Sequence, residues 1–374
     1  MTIELPPEAT GVIIVDLDAL TANWRALADL VAPAECAAVV KADAYGLGAT
    51  EVIPALARAG CRTFFVATPE EGRAARLLNP DARLFALDGL IPGAEELLIA
   101  ADVAPVLSNL DEVAAWSEAA KRLGRRLPAA LQIDSGLNRL GLSAADVKTL
   151  AARPALLSAL ELRLVMSHLA CADDPAHPQN AKQRAAFNKR RALLPSAPAS
   201  LAASDGLMLG ATYHYDLVRP GYALYGGQAF QGGPTPVSPV VTVRARVLQV
   251  RTLKTGDSVG YSATWQAARP SRIAVVAAGY ADGFARALSA ASGKKGGAVL
   301  VGGARAPVVG RVSMDLITVD VTDIEGEVAR GDLVTLVGPG LTIEAMGKSA
   351  GTIGYEVLTR LGPRFARRYL GGGA

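Results

Sequence analysis

A (β/α)8 barrel of the TIM type followed by a C-terminal mostly-β domain is the fold class this sequence predicts, on three observations. Eight apolar runs, near residues 36–41, 62–66, 83–87, 103–106, 128–133, 161–167, 199–204 and 217–223, recur with a helical or capped segment after each of the first seven. Strands alternating with helices in this way pair in parallel, and eight of them close into a barrel. Between Gly226 and Pro239 the composition changes to GGQAFQGGPTPVSP, which has little means of forming a helix or a central strand and reads as a domain boundary. Beyond it, runs at 240–250, 272–279, 298–302, 306–310, 316–321 and 333–338 are β-rich and punctuated by Gly and Asp, as expected of a β-domain that closes into a barrel. An open doubly wound sheet would want a G-x-G-x-x-G turn after its first strand, and none opens a helix here.

Taken in order, residues 12–15 read as a short strand, after which Leu17, Leu20, Trp24, Leu27 and Val31 recur at helical spacing with Asp16 or Asp18 as cap. Thr50, Ser108 and Ser143 sit where later helices need N-caps, and Gly60 and Gly124 where helices end. The domains are expected at 1–235 and 236–374. The strand at 12–15 has no place in an eight-stranded barrel that begins at Cys36, which makes it a candidate to pair with the second domain. Residues 342–361 read as short helices, and the closing GGGA as a frayed tail.

At 374 residues, half of them hydrophobic, the chain has ample core for two domains. A net charge of only +3, with Lys and Arg scattered, argues against nucleic acid or an anionic membrane as the main partner but leaves a small anionic ligand open. The three cysteines, Cys36, Cys61 and Cys171, lack metal-site spacing and read as buried small hydrophobes in a reducing compartment, so no metal is expected. Glu4 and Glu8 precede only a short apolar run, so neither a signal peptide nor a membrane span is expected, and the location expected is cytoplasmic.

The polar residues of interest fall where such a barrel does its chemistry, at the C-terminal ends of its strands. Lys41 ends the first apolar run, Arg139 follows the fifth in DSGLNRLG, His168 follows the sixth in MSHLACAD, Ser204 ends the seventh, and Arg219 and Gly221 lie in the eighth in VRPGYALYG. Each alone has an ordinary reading: a snorkelling lysine, a loop ion pair, a satisfied core histidine, a helix cap, a surface arginine. Their coincidence at one rim favours function. Burial would lower the pKa of Lys41, and a neutral amine can attack a carbonyl. Gly46 and Gly48 let the loop that carries Tyr45 approach a ligand. Ser204 with the Gly221 and Tyr222 amides would supply neutral donors where these barrels commonly hold phosphate. A Schiff-base lysine, a phosphate cradle and an arginine able to face a ring nitrogen are what a pyridoxal-phosphate enzyme needs.

At this point the chain closely resembles the alanine racemase family over nearly its whole length. The resemblance rests on VVKADAYGLG, DSGLNRLG, SHLACAD, DLVRPGYALYG, VGYSATW, AAGYADGF, VGRVSMD and GTIGYEVLTRLGPR, in the family's order. It implies an isomerase interconverting L- and D-alanine on pyridoxal 5'-phosphate, supplying D-alanine for peptidoglycan, with active sites shared across a head-to-tail homodimer. By motif, Lys41 would hold the cofactor and serve as one base, and Tyr261 of the second subunit as the other. Removing a proton from one face of a planar carbon and returning one to the opposite face calls for two such groups. Tyr45, Ser204, Gly221, Tyr222 and Tyr355 would hold the phosphate. Arg139 would meet the ring's phenolic oxygen and, with the Met314 amide contributed, like Asp315 and Tyr261, by the second subunit, the substrate carboxylate. Arg219 would face the pyridine nitrogen and, always charged, leave it unprotonated; the electron sink is then shallower and side transamination suppressed. His168 would link Arg219 towards Tyr261, with Asp315 and Tyr280 supporting the site from behind.

Three positions depart from the family's pattern. Gln132 stands where many members carry a lysine that becomes carbamylated and steadies the arginine corresponding to Arg139; here the Gln132 amide, Asn138 or a bound anion must orient it. Leu47 and Ser313 replace a histidine and a cysteine with no part in the proton transfers. The rival readings are a serine or broad-specificity racemase, a fold-related decarboxylase that Arg219 argues against, and a pyridoxal-phosphate carrier, which would need neither a second domain nor Tyr261.

Overall fold

The computed structural model describes residues 6–372. Parallel pairing runs from strand Ala38–Val39 through Thr63–Val66, Arg83–Ala86, Val103–Leu107, Leu127–Gln132 and Leu160–Met166 to Ala199–Ser200. Closure uses the ends of the series. Strand Leu217–Val218 pairs in parallel with Glu35–Cys36, Ala203 bridges Arg219, and the Ala37 and Val39 amides donate to the Val218 and Pro220 carbonyls at 3.0 and 2.9 Å. All eight predicted runs are therefore strands of one closed parallel barrel, with Phe64 and Phe65 fully buried in it. Such strands read as unbroken apolar runs because both faces are covered.

The helices start where a side chain can take up free amides, though not always at the expected residue. Asp16 accepts from the Ala19 amide at 2.8 Å, and Ser143 forms a reciprocal capping box with Asp146. The expected caps Thr50 and Ser108 are displaced. Helix Ala49–Ala59 begins after Gly48, and helix Leu110–Arg122 is capped by Asn109, which accepts from Glu112 at 2.9 Å and donates back to its carboxylate at 2.6 Å. Gly60 closes its helix at φ 114°, and Gly124 follows one at φ 62°.

The chain divides into two compact units, one of Leu20–Ser238 and one of the N-terminal stretch through Ala19 with Pro239–Gly372. The division falls at Ser238/Pro239 rather than at 235/236, and strand Gly11–Asp16 belongs to the second unit, where it lies antiparallel to Val241–Leu253. That long strand is the axis of the β-unit. It also pairs with Leu333–Val337 and Ser271–Val276, while Ala298–Val301, Ala304–Pro307 and Ile317–Asp320 complete a ring closed by the Val308–Val319 bridge. Helices Ile343–Ala350 and Gly354–Thr359 match the expectation for 342–361. The sequence hid a last strand, Ala366–Leu370, parallel to Gly11–Asp16, and the tail is tied at Gly372, whose amide donates to Asp18 at 2.9 Å. Glu4, Gly373 and Ala374 lie outside the described residues. Cys36 and Cys61 are buried and Cys171 half-buried, all three as free thiols. Among the described residues no helix is long and apolar enough to cross a membrane, and no cluster of His, Cys, Asp or Glu is arranged to hold a metal ion.

Candidate active site

Lys41 opens a short turn, Lys41–Tyr45, in which Ala42, Asp43, Ala44 and Tyr45 all lie at φ between 52° and 58°. A left-handed run of four non-glycine residues is costly, so neighbouring groups must hold it. Glu71 does so with both oxygens, accepting from the Ala42 amide at 2.8 Å and the Ala67 amide at 2.7 Å. Asp43 accepts from Ala49 at 2.7 Å, and Gly46 donates to the Ala42 carbonyl at 2.8 Å. The expectation of a plain Gly-rich loop after Lys41 is corrected here: the turn is regular and left-handed before the glycines are reached.

The environment of Lys41 suits an amine that must shed its proton. Burial lowers its pKa from 10.5, Arg139 lowers it further, and Asp88 and Glu71 only partly oppose them. His168 is pushed down to about 3, first by burial and then by Arg219, Arg139 and Lys41, so it is neutral at ordinary pH. Arg219 is buried at 3% exposure and held by Ser200 Oγ, by the Ser167 carbonyl at 2.7 Å and by the Leu201 carbonyl at 3.4 Å. Burial moves its pKa down to about 9, which leaves it cationic at neutral pH. One rim of the barrel thus gathers Lys41, Arg139, His168 and Arg219 into a field that favours anions.

Ser204 Oγ accepts from the Gly221 and Ala223 amides, both at 3.1 Å. With both lone pairs in use, the Ser204 O–H is the group left to donate. The Gly221 amide is therefore engaged within the protein, and the neutral donor at this point is the Ser204 hydroxyl. Tyr45 is buried against Tyr225, ring centroids 4.8 Å apart, and an added Cβ on Gly221 would lie 2.3 Å from Tyr45 Oη. Tyr222, also buried, opens the turn Tyr222–Tyr225 beside it.

Arg139 is exposed on a loop organised by a residue the sequence did not flag. Asp134 Oδ1 accepts from the amides of Gly136, Leu137 and Asn138 at 3.0, 3.1 and 3.0 Å. Of the candidates to steady Arg139, Gln132 acts on the backbone: its Nε2 donates to the carbonyl of Leu140, the next residue, at 3.0 Å.

Tyr261, Tyr280, Met314, Asp315 and Tyr355 lie in the β-unit. Tyr261 is 70%, Met314 53% and Tyr280 44% exposed within the single chain, although all three are large and at least partly apolar. The turn holding Tyr261 has Ser262 and Ala263 at φ 62° and 46°, a non-glycine strain of the kind found at functional turns. The loop of Met314 is clamped. The Tyr280 and Ala281 amides donate to the Ser313 and Met314 carbonyls at 3.1 and 3.0 Å, and a Cβ on Gly279 would meet the Met314 oxygen at 2.2 Å. Arg364 donates to both oxygens of buried Asp282, at 2.8 and 2.7 Å, and to Asp315 at 2.6 Å. Tyr355 is half-buried in helix Gly354–Thr359.

Comparison with known proteins accounts for both units. The model of the alanine racemase N-terminal domain matches residues 15–229, and that of the alanine racemase C-terminal domain residues 240–369. The chain is 49% identical to the alanine racemase of Rhodospirillum rubrum over 97% of its own length and 96% of the relative's. It is 47% identical to a catabolic alanine racemase of Agrobacterium fabrum, over 97% of this chain and 92% of that one. Among solved structures, alanine racemase from Bartonella henselae with covalently bound pyridoxal phosphate matches with a TM-score of 0.93 at 41% identity, covering 97% of this chain and 100% of that one. Biosynthetic alanine racemase from Pseudomonas aeruginosa matches with a TM-score of 0.88 at 35% identity and the same coverage. The chain belongs to the alanine racemase family.

Proposed function

We propose that this protein interconverts L-alanine and D-alanine on pyridoxal 5'-phosphate by a two-base mechanism, in the cytoplasm, as a homodimer with composite sites. The observation that carries the reading is the half-buried lysine of lowered pKa at the start of a braced left-handed turn, within an anion-favouring rim. The residues present fit the cofactor. The neutral form of Lys41 suits a carbonyl, the Ser204 hydroxyl and Tyr45 suit a phosphate, and Gly221, whose Cβ would run into Tyr45, marks where the wall must stay bare. When bound, pyridoxal phosphate supplies the electron sink that makes the substrate's Cα proton removable.

The rest falls to the chain's own residues. Lys41 would hold the cofactor through its amine and would accept or return a proton on one face of the substrate's Cα. Tyr261 of a second copy does so on the other, and its exposure in the single chain leaves the phenol available to a partner. Arg139, on a loop that Asp134 and Gln132 keep in place, would receive the substrate carboxylate together with the Met314 amide of the second copy. Arg219 would hold a fixed positive charge towards the ring nitrogen, and neutral His168 would link it towards the tyrosine of the second copy. Tyr222 and, by the family's pattern, Tyr355 would contact the phosphate, while Asp315 and Tyr280 set the Met314 loop through Arg364 and backbone contacts.

The test is chiral separation of products from L-alanine incubated with the purified, cofactor-loaded protein. D-alanine should form until the two enantiomers balance, serine should turn over more slowly, and Lys41→Ala should abolish the reaction. Serine racemised faster than alanine would replace this reading by the broader-specificity one. Restoration of growth to a D-alanine-requiring bacterium would support supply of D-alanine to peptidoglycan.

A further inference from the structure

Helix Pro178–Arg191 carries a glutamine, Gln183, that is fully buried between the charged Lys182 and Arg184. Its side chain is spent on two other segments. Gln183 Oε1 accepts from the Ala170 amide at 2.8 Å, while Nε2 donates to the His168 carbonyl at 2.9 Å and to Ser135 Oγ at 3.3 Å. The donor and acceptor partners fix the orientation of the amide, since the backbone amide of Ala170 needs an acceptor and the carbonyl of His168 a donor.

From Ser135 the bonds continue in one direction. Ser167 Oγ donates its only proton to the Ile133 carbonyl at 2.7 Å, so the 2.7 Å contact between Ser135 and Ser167 has Ser135 as donor. Ser167 in turn offers its carbonyl to Arg219 at 2.7 Å. The same helix reaches the Arg139 loop at two further points, with Gln179 donating to the Gly136 carbonyl at 3.1 Å and Arg190 to the Asp134 carbonyl. Of these three helix residues, Gln183 is the one bonded both to the loop that ends in Arg139 and to the strand end that carries His168.

We infer that Gln183 is a positioning residue, whose three hydrogen bonds set the Arg139 loop and the His168 strand end in register so that the carboxylate-receiving arginine and the histidine beside Arg219 keep one geometry. The inference rests on the function proposed above. A buried amide of this kind transmits position because its own donor and acceptor must be satisfied together, and loss of a bond leaves a buried polar atom of Gln183 or Ser135 unpaired.

The experiment compares wild type, Gln183→Met and, as a milder break in the same network, Ser135→Ala, all as cofactor-loaded protein. Three quantities are read: KM and kcat for both alanine enantiomers, the inhibition constant of propionate as an unreactive carboxylate, and the imidazole ¹⁵N signals of the three histidines. For Gln183→Met, KM and the propionate constant should rise together by roughly 2- to 30-fold, the range of coupling through packed networks, with a smaller change in kcat. The His168 signals should move while those of His177 and His214 stay. Ser135→Ala should shift the same quantities in the same direction by less, which decides the matter if Gln183→Met does not fold. A variant that loses stability but keeps wild-type KM, propionate binding and His168 signals would make Gln183 a packing residue only and overturn the inference. Absence of racemisation by the wild type would instead defeat the proposed function, and the histidine signals would still decide the role of Gln183.

Discussion

Replacing Gly221 by Ala probes the phosphate end of the site with a single methyl group. The added Cβ would lie 2.3 Å from Tyr45 Oη, 3.0 Å from Tyr45 Cζ and 3.2 Å from Val39 Cβ, so a shift of roughly 1 Å is needed to reach ordinary contact. Tyr45 cannot easily give way. It is buried on the left-handed turn at φ 58°, packed on Tyr225, whose own hydroxyl is bonded to the Val39 carbonyl at 3.1 Å. Gly221 itself has φ −130°, outside the left-handed region, so the steric contact sets the cost. Overpacking of this kind costs about 1–3 kcal/mol. Urea denaturation of the cofactor-free protein should show that loss, and fluorescence titration with pyridoxal phosphate should show weakened binding. Tyr45→Phe removes the nearest atom but leaves Cζ, so in the double variant part of the loss should return, with a coupling of about 1 kcal/mol. A Gly221→Ala protein within about 0.5 kcal/mol of wild type, with no coupling to Tyr45→Phe, would refute the reasoning.

Two further outcomes are expected. Because burial disfavours charged Lys41, the unfolded chain binds more protons than the folded one between the lowered pKa and 10.5, and wild-type stability gains with pH across that window. Cofactor-free Lys41→Met should accordingly be more stable than wild type at neutral pH, with the gain shrinking as pH approaches 10.5; an equal gain at both ends would contradict the desolvation argument. Mixing Lys41→Ala with Tyr261→Phe chains should restore activity to about a quarter of wild type per site, because random exchange makes about half the dimers mixed and one site in each of those is intact. Demonstrated exchange with no recovery would reject the shared site.

The barrel was legible because parallel strands buried on both faces leave long apolar runs, and because its chemistry is confined to strand ends where Lys41, Arg139, His168, Ser204 and Arg219 stood out as polar. The turn after Lys41 was not legible. Ala-Asp-Ala-Tyr carries no signature of left-handed backbone, which is held by Glu71, a residue in the distant helix Pro69–Leu78, rather than by local preference. Strand Ala366–Leu370 was hidden by Arg367 and Arg368, whose charges mask an extended segment that takes its order from pairing with Gly11–Asp16. Asp134 and Gln183 escaped notice for a related reason: an Asp in a loop and a Gln within a helix are ordinary until the amides and carbonyls they serve are known. Thr50 and Ser108 looked like caps by type, but the backbone turns at Gly48 and Asn109 instead.

The central claim is that Lys41 is the residue through which this barrel holds its cofactor. Borohydride reduction of the loaded protein, followed by digestion and mass analysis, tests it most directly. The account predicts a single pyridoxyl-modified peptide containing Lys41, and no such peptide from Lys41→Ala. Modification of a different lysine, with racemisation retained by Lys41→Ala, would contradict it.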